Sequence, residues 1–391
     1  MEPKHSQQFE LTEKAIQTHA FSRRALKDYP FFLEALLQVK AAAAKANQAA
    51  GHLSEIQREA LVLACETLQM PEYCDLFQAD VFQGGGGIAI HTNVNEALHV
   101  FTSEEGIVLD IKNQINKSQS TADVLSTASG ISLYRLGIQA LHVLQATEKM
   151  LLEKAQEFEG IQTMARTCLR DAMPAPLSKL FEGYAQVTAR HAQSLSDAIQ
   201  SLREVNLGGT VIGSGEGASS IYQEKVISFL NEVTGLSLNR KDNLYDAAQN
   251  IDRLGRVSSV LADLAASWIK ISKDLRLMGS GPAAGFDEIT LPEAIPGSSF
   301  FSGKVNPTLP ETVLQACFLV LGNHRCVQAA EEHGELYLNV FETLAVIKTY
   351  ESLEALSVAL DKLNQHCLKN LKANSQSCQN WVRQWEEKQN G

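Results

Sequence analysis

The chain has 391 residues, of which 45% are hydrophobic and only 7% aromatic, and its formal net charge is -11. This length is sufficient for a large buried core and two or three domains, and the aliphatic, alanine-rich composition favours helices over sheets. The acidic balance without a basic cluster excludes nucleic acid as an expected partner.

Cysteine and histidine usage points to a protein without metal or disulfides. The seven cysteines include no Cys-x-x-Cys pair, and the ten histidines include no His-Glu-x-x-His motif. No apolar run reaches about 18 residues, and the first 20 residues are polar and charged, without the apolar stretch of a signal peptide. We therefore expect a cytoplasmic protein with reduced thiols and no membrane partner.

The first part of the chain predicts helices followed by a tight loop. Phe31 to Ala49 is rich in alanine and leucine, and a second helical run starts at Leu53-Ser54. The tetraglycine Gly84–Gly87, here called the glycine-rich loop, cannot lie inside a helix and marks close approach of the backbone to another group. It lacks a following Gly-Lys-Ser/Thr, so a nucleotide site is excluded.

Long helices are predicted from about residue 124 to residue 373. Ser120, Thr121 and Asp123 precede the first of them, and ordinary helix capping alone would explain these three residues. A later helix has apolar residues at alternating spacings of three and four: Leu254, Val257, Leu261, Leu264, Trp268, Ile271, Leu275 and Met278. This spacing is typical of a seam within a helical bundle, and bundles of this kind usually associate with copies of themselves.

The stretch Gly297–Pro310, here called the lysine loop, combines glycines, hydroxyls, Lys304 and Asn306 ahead of a long apolar segment. A glycine-rich turn leaves backbone N–H groups free, and the lysine and asparagine can hold one carboxylate through charge and amide donors. A capped loop between two helices is the alternative interpretation of the same residues.

Several segments, in this order, resemble motifs of the aspartase/fumarase superfamily. Phe82–Gly87 with Asn93–Glu96 is similar to its Gln-Gly-Gly-x-Gly-Thr…Asn-x-Asn-Glu segment, and Asn116–Asp123 to its Asn-Lys-x-Gln-Ser-Thr-Asn-Asp segment. The lysine loop keeps the glycine, both serines, the lysine, the asparagine and the proline of Gly-Ser-Ser-x-Met-Pro-x-Lys-x-Asn-Pro. Further matches are residues 163–172, 206–215, 274–277 and 279–282.

The resemblance implies an all-α protein, a long-helix bundle of the aspartase/fumarase type with a smaller, mostly helical N-terminal domain. We expect residues 1–123 to form that domain with the glycine-rich loop, residues 124–376 to form the central bundle, and residues 377–391 to be a C-terminal stub in place of the third domain of the family. The family also implies a homotetramer whose active sites are shared between subunits.

The implied activity is elimination from a small dicarboxylate without any cofactor. In the family, the serine at the position of Ser298 takes a proton from carbon, and the adjacent carboxylate carries the charge as an enediolate. The resemblance gives substrate-binding roles to Ser120, Thr121, Thr167, Ser299, Lys304 and Asn306. The Gln-Gly-Gly opening and the Asn-Leu-Gly-Gly-Thr turn favour the aspartase type, which converts L-aspartate to fumarate and ammonia.

Three departures from the family pattern leave alternatives open. Ile88 replaces a substrate-binding threonine, Ala122 an asparagine, and Ala283 an arginine. Isoleucine and alanine cannot hydrogen-bond through their side chains, so polar contacts to the substrate are lost. One alternative is a lyase of the same mechanism with an altered substrate, fumarase activity being one version; another is a catalytically impaired paralogue with a structural role.

Overall fold

The computed structural model describes residues 9–295, 297 and 299–390. Within these ranges the chain is dominated by α-helices, which confirms the predicted all-α class. Its helices are α1 Glu10–His19, α2 Pro30–Ala49, α3 Glu55–Thr67, α4 Ile88–Glu104, α5 Thr121–Glu157, α6 Leu177–Gln200, α7 Ser220–Thr234, α8 Leu244–Gln249, α9 Asp252–Met278, α10 Thr308–Glu332, α11 Glu342–His366 and α12 Ser375–Asn390.

Short strands pair in twos between the helices. Strand β1 (Gln162–Thr167) pairs antiparallel with β2 (Arg170–Pro176), and β5 (Ile289–Thr290) pairs antiparallel with β6 (Lys372–Ala373). The parallel pair is β3 (Glu204–Val205) with β4 (Asn239–Arg240). Strands β1 and β2 form a β-hairpin within residues 124–373, which were predicted as helices with short breaks. Cys168 and Leu169 connect the two strands, and both take the left-handed backbone conformation that a two-residue turn of this kind requires.

The chain divides into two compact units, each made of three stretches. The first comprises Met1–Leu136, Ala198–Val257 and Arg325–Tyr350; the second comprises Gly137–Asp197, Ser258–His324 and Glu351–Gly391. Helices α5, α6, α9, α10 and α11 contribute residues to both units. The predicted division at residues 123 and 376 stays a prediction.

Helix α2 forms the centre of the first unit. Its proline at the first position and its run of alanines favour a helix, and most of its side chains are buried where it packs against α3 and α7. Ser54 caps α3: its hydroxyl accepts from the Gln57 N–H at 3.3 Å, and the Gln57 side chain accepts from the Ser54 N–H at 2.9 Å.

Helix α1 is stabilised at its start by a side chain from α4. Its N-cap residue, Phe9, provides no side-chain hydrogen bond. Instead the buried Glu96 carboxylate accepts hydrogen bonds from the backbone N–H groups of Leu11 and Thr12, both at 3.0 Å, and from the Thr12 hydroxyl at 2.6 Å. These contacts satisfy donors that the first turn of a helix cannot satisfy internally.

The apolar seam predicted for residues 254–278 lies on α9, and all eight of its residues are buried. In the second unit the core also contains Phe181, whose ring contacts those of Phe158 and Tyr184 edge to face. The amphipathic, proline-free pattern of residues 335–372 predicts one long helix, but in the structure this helix, α11, begins only at Glu342 and ends at His366. Among the described residues, no helix is both long and apolar enough to cross a membrane.

Candidate active site

The glycine-rich loop packs its backbone closely against helix α5. Gly85, Gly86 and Gly87 have φ angles of 83°, 64° and 86°, which favour glycine. A Cβ atom on Gly87 would overlap the Leu125 side chain, so no larger residue fits at the start of α4. Close packing thus requires glycine at position 87, while the left-handed backbone favours it at positions 85 and 86.

Ser120 and Thr121 lie at the N-terminus of helix α5. The Ser120 N–H donates to Asp123 Oδ1 at 2.9 Å, while Asp123 Oδ2 accepts from the backbone N–H groups of Gly208 and Thr210, both at 3.0 Å. Asp123 is fully buried, and burial raises the pKa of its carboxyl group to about 6 although these hydrogen bonds oppose the rise. The buried aspartate thus fixes the start of α5, whose helix dipole favours an anionic ligand.

A cavity of about 180 Å³ in the first unit, here called the α5 cavity, brings these hydroxyls together with the glycine-rich loop. Its wall includes Ser120, Thr121, Ala122, Gly85, Gly86, Ile88, Leu125, Ser129, Val211, Leu338, Asn339, Glu342 and Thr343. Two of the predicted binding residues therefore share one cavity with two of the departures, Ile88 and Ala122. This volume suits a ligand of a few non-hydrogen atoms.

Glu342 is an acidic wall residue that the sequence analysis did not single out. Its Oε1 accepts from the Ser126 hydroxyl at 2.9 Å and lies 3.2 Å from the buried Arg253 guanidinium. Arg253 also donates to the backbone carbonyls of Ser126 and Glu204. No described residue hydrogen-bonds Oε2, so this oxygen remains available to a cationic group.

Two buried residues behind Thr121 were also missed. Lys40 Nζ lies 2.6 Å from His91 Nε2 and 2.8 Å from Asn116 Oδ1, and His91 Nδ1 lies 2.9 Å from Thr121 Oγ1. Burial lowers the pKa of Lys40 to about 7, and burial together with the nearby lysine lowers that of His91 well below its usual value. Lys40 lies within an alanine-rich helical segment, and no sequence pattern there indicates its contacts with His91 and Asn116.

The lysine loop belongs to the second unit and leads into α10. The Asn306 side-chain amide donates to the Gly297 carbonyl, and the Lys304 N–H donates to the Phe301 carbonyl at 3.4 Å. A Cβ atom on Gly297 would overlap the carbonyl oxygen of Lys304, so the loop requires glycine there.

Two of the predicted residues of this loop present their side chains to solvent. Lys304 and Ser299 are exposed, and no described residue pairs with the Lys304 ammonium group. Ser298, to which the resemblance gives the role of base, lies outside the described residues. Asn306 is half-buried and keeps a second amide N–H for a ligand.

Thr167, the remaining predicted residue, is exposed at the end of β1, directly before the turn of the β1–β2 hairpin. The neighbouring Arg166 donates to the buried Glu288 carboxylate at 2.9 Å, and its guanidinium lies 4.0 Å from the centre of the Phe286 ring. These contacts anchor the hairpin in the second unit. Ser120 and Thr121 thus belong to the first unit, whereas Thr167, Ser299, Lys304 and Asn306 belong to the second.

The donor arrangement in the described ranges does not indicate a metal centre: no group of three or more His, Cys, Asp or Glu side chains there could hold a metal ion.

Comparison with known proteins gives consistent matches over nearly the whole chain. Residues 4–322 match the family described as lyase. The aspartate ammonia-lyase of Helicobacter pylori strain J99 is 37% identical over 378 residues, covering 95% of this chain and 81% of that protein. The aspartate ammonia-lyase of Bacillus subtilis strain 168 is 36% identical over 391 residues, covering 95% of this chain and 82% of that protein.

Solved structures share the fold. A fumarate lyase:delta crystallin from Brucella melitensis, in a crystal structure bound to cobalt, superposes with a TM-score of 0.91 at 36% identity, covering 95% of this chain and 82% of that one. A recombinant class II fumarase from Schistosoma mansoni superposes with a TM-score of 0.91 at 26% identity, with the same coverage of both chains.

Proposed function

The chain belongs to the aspartase/fumarase superfamily and is a carbon–nitrogen lyase, and we propose that it releases ammonia from L-aspartate to form fumarate. Aspartate ammonia-lyases are its relatives at 36–37% identity. The observation that carries the choice of an amino-bearing substrate is the composition of the α5 cavity. It combines the Ser120 and Thr121 hydroxyls at a helix N-terminus with the Glu342 carboxylate.

The two kinds of group suit the two kinds of charge on the proposed substrate, carboxylate and ammonium. The hydroxyls and the helix dipole favour a carboxylate, whereas Glu342 Oε2 attracts an ammonium group. Glu342 supplies the negative charge in a wall where Ile88 and Ala122 offer no polar side chain. Its pairing with Arg253 and Ser126 holds the carboxylate in place.

In the proposed reaction, deprotonated Ser298 takes the proton from Cβ of aspartate. The electron pair of the C–H bond moves into the adjacent carboxylate, which becomes an enediolate. Collapse of the enediolate forms the C=C bond and breaks the C–N bond, so that the amine leaves as ammonia. Preorganised donors around a developing oxyanion are the main source of rate enhancement in such reactions.

The remaining proposed roles are binding and orientation. Lys304 and Asn306 hold one carboxylate by charge and amide donors, Ser299 adds a donor from the same loop, and Thr167 adds a hydroxyl from the hairpin. As the family resemblance implies, these groups act with Ser120 and Thr121 in sites shared between subunits of a homotetramer.

A second candidate is a lyase of the same mechanism acting on another succinyl compound, such as malate. The apolar part of the cavity wall favours it, because Ile88, Leu125, Val211 and Leu338 surround the polar groups there. A neutral leaving group, such as the hydroxyl of malate, needs less polar surroundings than the charged ammonium group of aspartate.

The experiment that separates these candidates follows fumarate absorbance with L-aspartate, L-malate or argininosuccinate as the substrate. We expect fumarate from L-aspartate. Glu342→Gln should lower kcat/KM for L-aspartate by about tenfold or more, because one charge-assisted contact is lost. It should leave the affinity for succinate, which has no amine, nearly unchanged. Fumarate from malate alone would favour the second candidate.

A further inference from the structure

A chain of hydrogen bonds runs from the interior of helix α2 to the wall of the α5 cavity. Lys40 Nζ approaches His91 Nε2 at 2.6 Å, and His91 Nδ1 approaches Thr121 Oγ1 at 2.9 Å. Lys40 and His91 are both buried, whereas Thr121 forms part of the cavity wall. The chain therefore connects two groups that do not line the cavity to one hydroxyl that does.

The partners of Lys40 determine which ring nitrogen of His91 carries the proton. The Asn116 Nδ2 group donates to the Gln119 carbonyl at 3.3 Å, which turns Asn116 Oδ1 towards Lys40 at 2.8 Å. Whether charged or neutral, Lys40 has enough protons to donate both to this oxygen and to His91 Nε2, and in that arrangement Nε2 carries no proton of its own. A neutral imidazole must in that case carry its proton on Nδ1. Burial favours this neutral form.

The protonated Nδ1 donates to Thr121 Oγ1, which fixes the direction of the threonine hydroxyl. The oxygen accepts from His91, so its own hydrogen must point elsewhere. Among the described residues, no group accepts that hydrogen. The nearest backbone carbonyl one turn earlier, that of Lys117, already accepts from Asn47 and Gln119.

We propose that Lys40 and His91 are positioning residues that hold the proton of the Thr121 hydroxyl on the cavity side, ready to donate to a substrate carboxylate. This inference rests on the proposed function for the nature of the substrate. A hydroxyl whose orientation is set before binding loses less freedom when the ligand arrives, and its donor is aimed without reorganisation.

The histidine position offers a matched pair of variants. The amide of an asparagine reaches roughly where Nδ1 lies and can still donate to Thr121, whereas the longer glutamine places its amide near Nε2 and loses that contact. His91→Asn should therefore keep succinate affinity within about threefold of wild type, and His91→Gln should weaken it by about tenfold. Lys40→Met removes the donor to His91 Nε2, so the imidazole proton can lie on either ring nitrogen. This variant should weaken succinate binding by about threefold.

The decisive test is a double-mutant cycle with Thr121→Val, which keeps the shape of the side chain and removes the hydroxyl. Succinate affinity is measured by calorimetry on the full chain, with thermal unfolding to verify folding, and kcat/KM for L-aspartate is measured in parallel. Thr121→Val alone should weaken succinate by about ten- to a hundredfold. Adding His91→Gln to Thr121→Val should then change the affinity by less than about twofold.

The outcomes separate this inference from the proposed function. Equal effects of His91→Gln with and without the Thr121 hydroxyl, or equal losses in His91→Asn and His91→Gln, would overturn the positioning role. A wild type that binds succinate and shows the coupled cycle but does not form fumarate from L-aspartate would overturn the proposed function alone. Failure of the wild type to bind succinate would overturn both.

Discussion

Lys304 follows Gly303 in the lysine loop and presents its ammonium group to solvent with no partner among the described residues. A charge on an irregular surface segment is better explained by a ligand than by packing. We predict that Lys304→Ala lowers kcat/KM for the active dicarboxylate by about a hundredfold, while the thermal unfolding midpoint stays within about 2 °C of wild type.

The exposed Lys225 on α7 provides the control for this variant. Lys225→Ala removes the same charge from the surface of a helix and should change neither kcat nor KM. If Lys304→Ala retains wild-type turnover, the assignment of the lysine loop to the site is wrong.

Ile88 and Ala122 determine how polar the wall of the α5 cavity is. Each hydrogen bond lost to a charged group costs about 1.5–3 kcal/mol, so the native chain should show weak aspartase activity. The double change Ile88→Thr with Ala122→Asn should raise kcat/KM for L-aspartate by about two orders of magnitude. Robust fumarate formation by the native chain would contradict this prediction and show that the amine is bound well without polar side chains at positions 88 and 122.

At the scale of single residues, the sequence pointed to candidate site residues that lie in continuous motifs. It did not point to residues that come together only in the folded chain. Ser120 and Thr121 were singled out because their segment resembles a motif of the family, and the structure places both in the wall of the α5 cavity. Lys40, His91 and Glu342 come from α2, α4 and α11, and each looks like an ordinary helix residue in the sequence. Their roles depend on tertiary contacts that no local spacing encodes.

At the scale of elements, the β1–β2 hairpin contains backbone strain that can be relieved. Leu169 has a φ angle of 58° in the turn, and a non-glycine residue in this conformation costs about 1–2 kcal/mol. Leu169→Gly should therefore raise the free energy of unfolding by about 1 kcal/mol, measured by urea denaturation.

Arg170 is the matched position for that comparison, because it starts β2 with a φ angle outside the left-handed region. Arg170→Gly should lower the free energy of unfolding by about 0.5–1 kcal/mol. A similar effect of glycine at both positions would show that the turn conformation is not the source of the difference.

Helices were predictable where their apolar periodicity is long and regular. The eight-residue seam of α9 is buried throughout, as its spacing indicates. The hairpin was missed because its turn uses cysteine and leucine in place of the usual asparagine and glycine. The start of α11 was placed too early because residues 335–341 continue the helical composition, although in the structure they form turns and a short bridge.

At the scale of the whole molecule, the surface of α10 bears large apolar side chains. Phe318 and Leu319 are 57% and 61% exposed, and Leu321 is 39% exposed. Covering such a surface with further copies of the chain would remove apolar area from water. We predict a homotetramer in solution, with a mass by light scattering of four times 42.8 kDa. A stable monomer in dilute buffer would contradict this prediction.

Stability should also depend on pH through Lys40. Its pKa falls from 10.5 to about 7 on burial, near His91, Asp123 and Cys65. Between pH 7 and pH 10.5 the unfolded chain therefore binds more protons at this site than the folded chain, so this contribution to the unfolding free energy rises with pH. The unfolding midpoint of wild type relative to Lys40→Met should increase from pH 7 to pH 9.5, whereas a constant difference would show that Lys40 stays charged when folded.

The carboxylate of Glu96 at the start of α1 has a consequence for the order of events during folding. An isolated helix of ten residues is marginal in water, and α1 has no cap within its own sequence. The group that satisfies its first amides stands 84 residues beyond Thr12, so α1 gains this support only after the chain has closed a long loop. We therefore expect α1 to dock after α4 has reached its native place and to exchange its amide protons early.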